Sequence, residues 1–279
     1  MKNILLPTDF SENSWNAIQY ALAFFQKISC NFYLLHVTSI SNYAGGESPI
    51  IPTGDIIEKT LLKQANLELH NLLKVIKKLQ TNINHNFIKL SSYDYFIDAV
   101  RNHIKEKNID LVVMGTKGAT GLKETIIGSN TGDLITKVKC PVLVVPEKAV
   151  FKVPREIAFP TDYNLFYQTK ILNGISDLIK TYDAAIRILH VAKKNEILTV
   201  FQNENKDYLN DFFTDEKHSF HKVTNKKIEA GIQCFVESRD IDMIIMIAKN
   251  LNFFQQILFK PTVEEISYHT EIPFLVLHE

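Results

Sequence analysis

Asp110-Leu111-Val112-Val113-Met114-Gly115-Thr116-Lys117-Gly118, followed after nine intervening residues by Gly128-Ser129-Asn130-Thr131, decides how this chain is read. The apolar run from Leu111 to Met114 has the β-branched character of a buried strand, and it opens into glycines and then a helix start. Glycine allows positive φ and lets a ligand come close where a Cβ would collide. The free N–H groups of a helix beginning near Ser129 carry partial positive charge toward an anion. The Ser129 and Thr131 hydroxyls add donors or a metal ligand. The same residues also suit a tight turn and ordinary capping of the next helix, so both readings stand at this point.

Outward from this stretch, β-rich runs alternate with helical ones. The pattern predicts strands over 3–8, 31–38, 86–91, 109–115 and 141–146, with helices over 12–28, 55–80, 95–107 and 129–138. Such alternation implies right-handed βαβ crossovers and a parallel sheet covered on both faces. Open parallel sheets bind ligands at the carboxyl ends of their strands, where strand order reverses. Asp9, Val37 and Gly115 all fall at predicted strand ends. Ser41 to Asp55, with Gly45-Gly46, Pro49 and Pro52, reads as a long mobile loop able to lie over that crevice.

The chain then repeats itself. Ile4-Leu5-Leu6-Pro7-Thr8-Asp9 returns as Ile157-Ala158-Phe159-Pro160-Thr161-Asp162, and Leu34-Leu35-His36-Val37 returns as Ile188-Leu189-His190-Val191. Asp110 through Glu147 aligns without a gap on Asp242 through Glu279. Two copies of one domain are expected, over 1–147 and 154–279. The glycine motif is not repeated: Gly115, Gly118, Gly128 and Ser129 align with Ile247, Asn250, Lys260 and Pro261. Ile247 and Lys260 put side chains where the backbone must lie bare, and Pro261 has no N–H to offer a phosphate. Phe253, Phe254 and Phe259 suggest that this second crevice is filled by packing or faces a partner, packing being favoured.

Length and composition exclude several classes. At 279 residues, 46% of them hydrophobic, the chain has ample core for two domains. A formal net charge of +0 provides no global field for nucleic acid or an anionic membrane, so any anion site must be local. Cys30, Cys140 and Cys234 are odd in number, far apart and set in apolar surroundings, and read as buried free thiols in a reducing compartment. No run reaches the length of a membrane span, and a cytoplasmic protein with no nucleic-acid or membrane partner is expected. P-loop, Gly-x-Gly-x-x-Gly, nucleophile-elbow and His-x-x-x-His patterns are missing, so a nucleotide would bind without an obvious base to activate water.

Pro7-Thr8-Asp9-Phe10-Ser11, His36-Val37, Met114-Gly115-x-x-Gly118 with its spacing to Gly128-Ser129, and Cys140-Pro141-Val142-Leu143-Val144-Val145 together resemble the universal stress protein family, in its tandem two-domain type. The resemblance covers both halves. It implies an α/β fold of two tandem Rossmann-like (adenine nucleotide alpha hydrolase-like) domains, each a five-stranded parallel sheet with helices on both faces. In the ATP-binding branch, the residue matching Asp9 lies against the adenosine, the backbone of the residue matching Val37 meets the adenine edge, and the glycines with Ser129 hold ribose and phosphates. Magnesium or manganese on the phosphates is implied in the same way, as is an intramolecular pseudo-dimer through the final strands, with a homodimer of whole chains also open. The candidate cofactor-binding set is Pro7, Thr8, Asp9, His36, Val37, Met114, Gly115, Lys117, Gly118, Gly128, Ser129, Asn130 and Thr131, with no catalytic residue assigned.

Other readings of single residues stay open beside this one. Asp9 with Glu12 forms a capping-box pattern, and the persistence of Asp162 shows that the position can be kept for capping alone, so capping stands beside ligand contact. His36 and His190 lack metal-ligand neighbours in the sequence, which favours a structural histidine over a catalytic one. Lys117 either screens phosphate charge or is simply solvated. For function, the first expectation is an ATP-binding stress or regulatory protein. A slow ATPase or phosphotransferase using the same site, and an adaptor that binds no nucleotide, are the alternatives.

Overall fold

Runs of aliphatic residues buried on both sides set the architecture. Leu5, Leu6, Val112, Val142 and Val144 are all fully shielded from solvent, as strands covered on two faces must be. The computed structural model describes residues 1–38, 54–79, 82–116, 128–248 and 272–278. The described residues divide into two compact units, one up to Glu147 and one from Lys148 onward.

In the first unit β1 (Lys2–Pro7), β2 (Cys30–Thr38), β3 (His85–Tyr93), β4 (Leu111–Gly115) and β5 (Val142–Val145) alternate with α1 (Glu12–Phe24), α2 (Gly54–Ile76), α3 (Phe96–Lys107) and α4 (Ser129–Lys137). The strands form a parallel sheet in the order β3-β2-β1-β4-β5. Right-handed crossovers then place α1 and α2 on one face and α3 and α4 on the other, and α3 packs on α4.

The helix expected over 12–28 stops early, at Phe24. Its last turn tightens through Gln26 N–H to the Ala23 carbonyl and Ile28 N–H to the Phe25 carbonyl. His85 Nε2 from β3 then lies 3.1 and 3.0 Å from the Phe25 and Ile28 carbonyls, tying the turn after the helix to the third strand. Of the expected loop, Ser41 to Thr53 lies outside the described residues, while Gly54 and Asp55 belong to α2.

The second unit repeats the plan. Strands β6 (Glu156–Pro160), β7 (Ala185–Ala192), β8 (His218–Thr224), β9 (Met243–Ile247) and β10 (Phe274–Leu277) alternate with α5 (Thr169–Tyr182), α6 (Val200–Phe212) and α7 (Ile228–Ser238). They form a parallel sheet in the order β10-β9-β6-β7-β8. The repeat extends to single bonds. Asp110 Oδ2 accepts from Asn3 N–H at 2.8 Å, and Asp242 Oδ2 accepts from Glu156 N–H at 3.0 Å.

One expectation about the thiols is corrected. Cys30 and Cys140 are buried, and desolvation pushes their pKa values up to about 11 and about 12. Cys234 is exposed, because α7 turns Gly231, Ile232 and Phe235 inward and leaves Cys234 on its outer side. Among the described residues no helix is long and apolar enough to cross a membrane.

A polar chain crosses three strands of the second sheet. Glu156 accepts from Arg187 Nε at 2.6 Å and Nη2 at 2.9 Å, Arg187 Nη1 donates to Ser219 Oγ at 2.9 Å, and Ser219 Oγ lies 2.8 Å from His221 Nε2. Burial, then the charges of Arg239 and Arg187, hold His221 below its ordinary pKa, with Glu156 opposing. His103 in the first unit is lowered mainly by burial, with its Nε2 2.9 Å from Ser92 Oγ. The unfolded chain therefore takes up these protons more readily than the folded one. Stability is complete above the ordinary histidine value of about 6.5 and falls as pH drops below it. Thermal melts should show Tm declining from pH 7 to pH 5, with a shallower decline in His221→Gln and in His103→Gln. Unchanged slopes in both variants would contradict this account.

Candidate functional site

Strand order reverses between β1 and β4, where β2 continues the sheet on one side and β5 on the other. The carboxyl ends of β1 and β4, and the loops leaving them, therefore flank the crevice at which such sheets take ligands. Pro7 ends β1 and is followed by buried Thr8 and exposed Asp9, while Met114 and Gly115 end β4. The β1–β2 register closes at Pro7 opposite Leu35, and Thr8 N–H donates to the Leu35 carbonyl at 2.8 Å. With the two-residue period of a strand, the Val37 carbonyl faces the same side as that of Leu35, beyond the point where β1 has ended.

The turn from β1 into α1 is held at several points. Thr8 Oγ1 accepts from Phe10 N–H at 3.0 Å. Asp9 Oδ1 accepts from Ser11 N–H at 3.1 Å and from Ser11 Oγ at 2.6 Å. Ser11 is the residue that caps α1, its Oγ accepting from Ser14 N–H at 3.2 Å. The capping-box reading of Asp9 is thus corrected: its carboxylate braces the cap without being one. Asp162 makes the equivalent bond to Asn164 N–H, at 3.0 Å. It is no cap either, since α5 begins only at Thr169. His36 Nδ1 lies 2.8 Å from the Thr8 carbonyl, and its ring stacks on Phe10 with centroids 4.6 Å apart.

Gly115 has a reason to be glycine that the sequence did not show. A Cβ there would lie 2.7 Å from Asn13 Oδ1 and 3.0 Å from the Asn13 backbone oxygen, because α1 starts against the end of β4. The bare backbone lets a helix approach. The second unit starts α5 seven residues after Asp162, where α1 starts three residues after Asp9, and Ile247 stands at the matching strand end.

Beyond β4, Gly128 is the N-cap of α4 with φ −64° and ψ 155° and makes no side-chain cap bond. Its N–H donates to the Thr116 carbonyl at 2.6 Å, tying the helix start to the strand end. Ser129 and Asn130 are exposed in the first turn, where backbone N–H groups have no helical partner. Thr131 is buried and its hydroxyl donates to the Gly115 carbonyl at 2.9 Å, so it braces the same junction. The structure thus brings Pro7, Thr8, Asp9, His36, Val37, Met114, Gly115, Gly128, Ser129, Asn130 and Thr131 to one edge of the first sheet. Lys117 and Gly118 lie outside the described residues, as do Asn250, Phe253, Phe254, Phe259, Lys260 and Pro261. Among the described residues no group of three or more His, Cys, Asp or Glu is arranged to hold a metal ion.

The matching edge of the second unit is built from larger residues. Thr161 Oγ1, the counterpart of Thr8 Oγ1, pairs with the buried hydroxyl of Tyr167 at 2.6 Å, where Thr8 pairs with small Ser14 at 3.1 Å. Asn205 and Gln202 of α6 donate to the Tyr163 and Asp162 carbonyls at 2.8 and 2.7 Å. The aromatic side chains and amide clamps occupy this turn from within.

Residues 1–146 match the Universal stress protein family. A universal stress protein of Methanocaldococcus jannaschii, MJ0577, is 28% identical over 155 residues, which are 53% of this chain and 96% of the relative. The universal stress protein Slr1230 of a Synechocystis species is 24% identical over 294 aligned positions, covering 99% of both chains. The crystal structure of a universal stress protein from Archaeoglobus fulgidus shares the fold with a TM-score of 0.72 at 16% identity, over 99% of this chain and 98% of that one.

Proposed function

Because the chain belongs to the universal stress protein family, we propose that its first unit binds an adenine nucleotide, ATP with a divalent cation on its phosphates, and that the protein acts as a cytoplasmic stress-response regulator whose state follows nucleotide occupancy. The observation that carries this reading is the convergence, at the β1–β4 reversal, of the Asp9 turn with an α4 N-terminus that has no side-chain cap. A dianionic phosphate suits such a helix start, since its first-turn N–H groups and partial charge point at the same place. Asp9 would lie against the adenosine and the Val37 main chain against the base edge. Gly115, Lys117, Gly118, Gly128, Ser129 and Asn130 would surround ribose and phosphates. The cation would arrive on the phosphates, which it screens.

The second unit is proposed to take no nucleotide by this mode. Supporting this are Ile247 in place of Gly115 and the Tyr167 hydroxyl held against Thr161.

A regulator and a slow ATPase differ in turnover. Purified protein with ATP and magnesium should release phosphate no faster than buffer, whereas release that disappears in Ser129→Ala would establish the ATPase in its place.

The two units are further proposed to form an intramolecular pseudo-dimer through β5 and β10. These are short apolar strands at the ends of their own sheets, and an uncovered apolar edge invites association. A fragment of residues 1–147, comparable in extent to the one-unit relative MJ0577, should dimerise in sedimentation. A monomeric fragment would contradict the proposal.

A further inference from the structure

We propose that His36 is a positioning residue for the nucleotide site: its imidazole fixes the Thr8-Asp9-Phe10 turn so that Asp9 meets the ligand, without itself touching it. The inference rests on the nucleotide reading above and adds a residue role to it.

The internal repeat provides the strongest observation. His36 Nδ1 lies 2.8 Å from the Thr8 carbonyl, and His190 Nδ1 lies 3.0 Å from the Thr161 carbonyl. A carbonyl can only accept, so both rings carry a proton on Nδ1. Each ring also packs on an aromatic residue two positions beyond that threonine. Phe10 is stacked at 4.6 Å, and Tyr163 is tilted at 5.3 Å. Both aromatics occupy the left-handed region, with φ of 63° and 58°. A side chain with a Cβ persists there only where its surroundings over-determine it. The donated bond and the ring contact supply that constraint together with the threonine hydroxyl, which accepts from Phe10 N–H and from Tyr163 N–H at 3.0 Å in each unit.

The chain of consequence in the first unit then runs to the exposed carboxylate. His36 fixes the Thr8 carbonyl and the Phe10 ring, the turn fixes Ser11, and Ser11 holds Asp9 Oδ1 through both its N–H and its hydroxyl. Thr8 is 6% exposed, so its carbonyl loses a partner in a secluded place when the imidazole is removed. The second unit has the same device, although its strand end carries Ile247 where the first unit has Gly115. That makes His190 an internal control for purely structural effects.

The test is calorimetry of the full chain with ATP and magnesium, paired with amide hydrogen exchange at Phe10 and Ser11. His36→Leu is expected to weaken nucleotide affinity by about tenfold, the size of one lost hydrogen bond with its ordering effect, and to speed both exchanges. His36→Asn, whose side-chain N–H can replace the Nδ1–H donor, should recover most of the affinity. His190→Leu should lower Tm and leave affinity unchanged. Wild-type affinity in His36→Leu would overturn the positioning role while leaving the nucleotide reading intact. Equal loss in His36→Leu and His190→Leu would reduce it to a general stability effect and overturn it too. Absence of binding by the wild-type chain would overturn the nucleotide reading and this inference with it. Should His36→Leu fail to fold, Phe10→Gly releases the turn while relieving the left-handed backbone. Unchanged affinity in that variant would also overturn the proposal.

Discussion

Gly115→Val should lower the stability of the first unit by about 3 kcal/mol, at the upper end of what overpacking a filled site costs. The added Cβ alone meets Asn13 Oδ1 at 2.7 Å and the Asn13 backbone oxygen at 3.0 Å, and valine adds two methyl groups beyond it. A flexible side-chain tip could swing aside, but the backbone oxygen belongs to the first turn of α1 and moves only with the helix. Either α1 shifts off β4 or the strand end bends away, and in the second case the Thr131 bond to the Gly115 carbonyl is disturbed as well. For a domain of this size the change corresponds to a Tm lower by roughly 6–12 °C. Gly174 is the contrast, because a Cβ there meets nothing within 4 Å and the residue lies inside α5. Gly174→Ala should raise stability by about 0.5–1 kcal/mol. Near wild-type stability in Gly115→Val would show that the close approach of Asn13 does not govern this position.

Ser129→Pro should weaken ATP binding by about 10- to 100-fold while leaving the helix in place, since a hydrogen bond to a charged group contributes about 1.5–3 kcal/mol. Ser129 is the first residue of α4, a position where proline's fixed φ is welcome and its missing N–H breaks no helical bond. The residue before a proline must be extended, and Gly128 already is, at φ −64° and ψ 155°. The substitution therefore removes one amide donor and one hydroxyl with little other disturbance. It also installs the residue that the second copy carries, Pro261. Circular dichroism should be unchanged and calorimetry should lose most of its heat. Undiminished affinity would mean that the α4 N-terminus does not meet the phosphates.

The fold was legible because its signals are redundant. Apolar runs such as Val142–Val145 are buried along their whole length, and strand-helix alternation together with an internal repeat leaves few topologies to consider. The site was legible to the level of strand ends. What lay beyond depends on contacts between residues distant in sequence. Gly115 looked like a place for a ligand, yet it is also where Asn13 lies against β4. Thr131 looked like a free donor and is instead buried against the Gly115 carbonyl. Asp9 and Glu12 have the spacing of a capping box, but the helix starts at Glu12, which makes Ser11 the cap. Phe10 at positive φ is invisible to propensity, because nothing local favours an aromatic there, and its ring contact with His36 and its bond to the Thr8 hydroxyl are contacts across the fold and the turn. The exposure of Cys234 is not legible in the sequence, because the turning of α7 toward Ile232 and Phe235 depends on which face the sheet covers.

The claim at the centre of this account is that one adenine nucleotide binds per chain, at the β1–β4 reversal of the first unit. Isothermal titration of nucleotide-free intact protein with ATP and magnesium tests it most directly. The predicted result is a stoichiometry near one, with affinity weakened about 10- to 100-fold in Ser129→Pro. No detectable heat at millimolar ATP, a stoichiometry near two, or full binding by Ser129→Pro would contradict it.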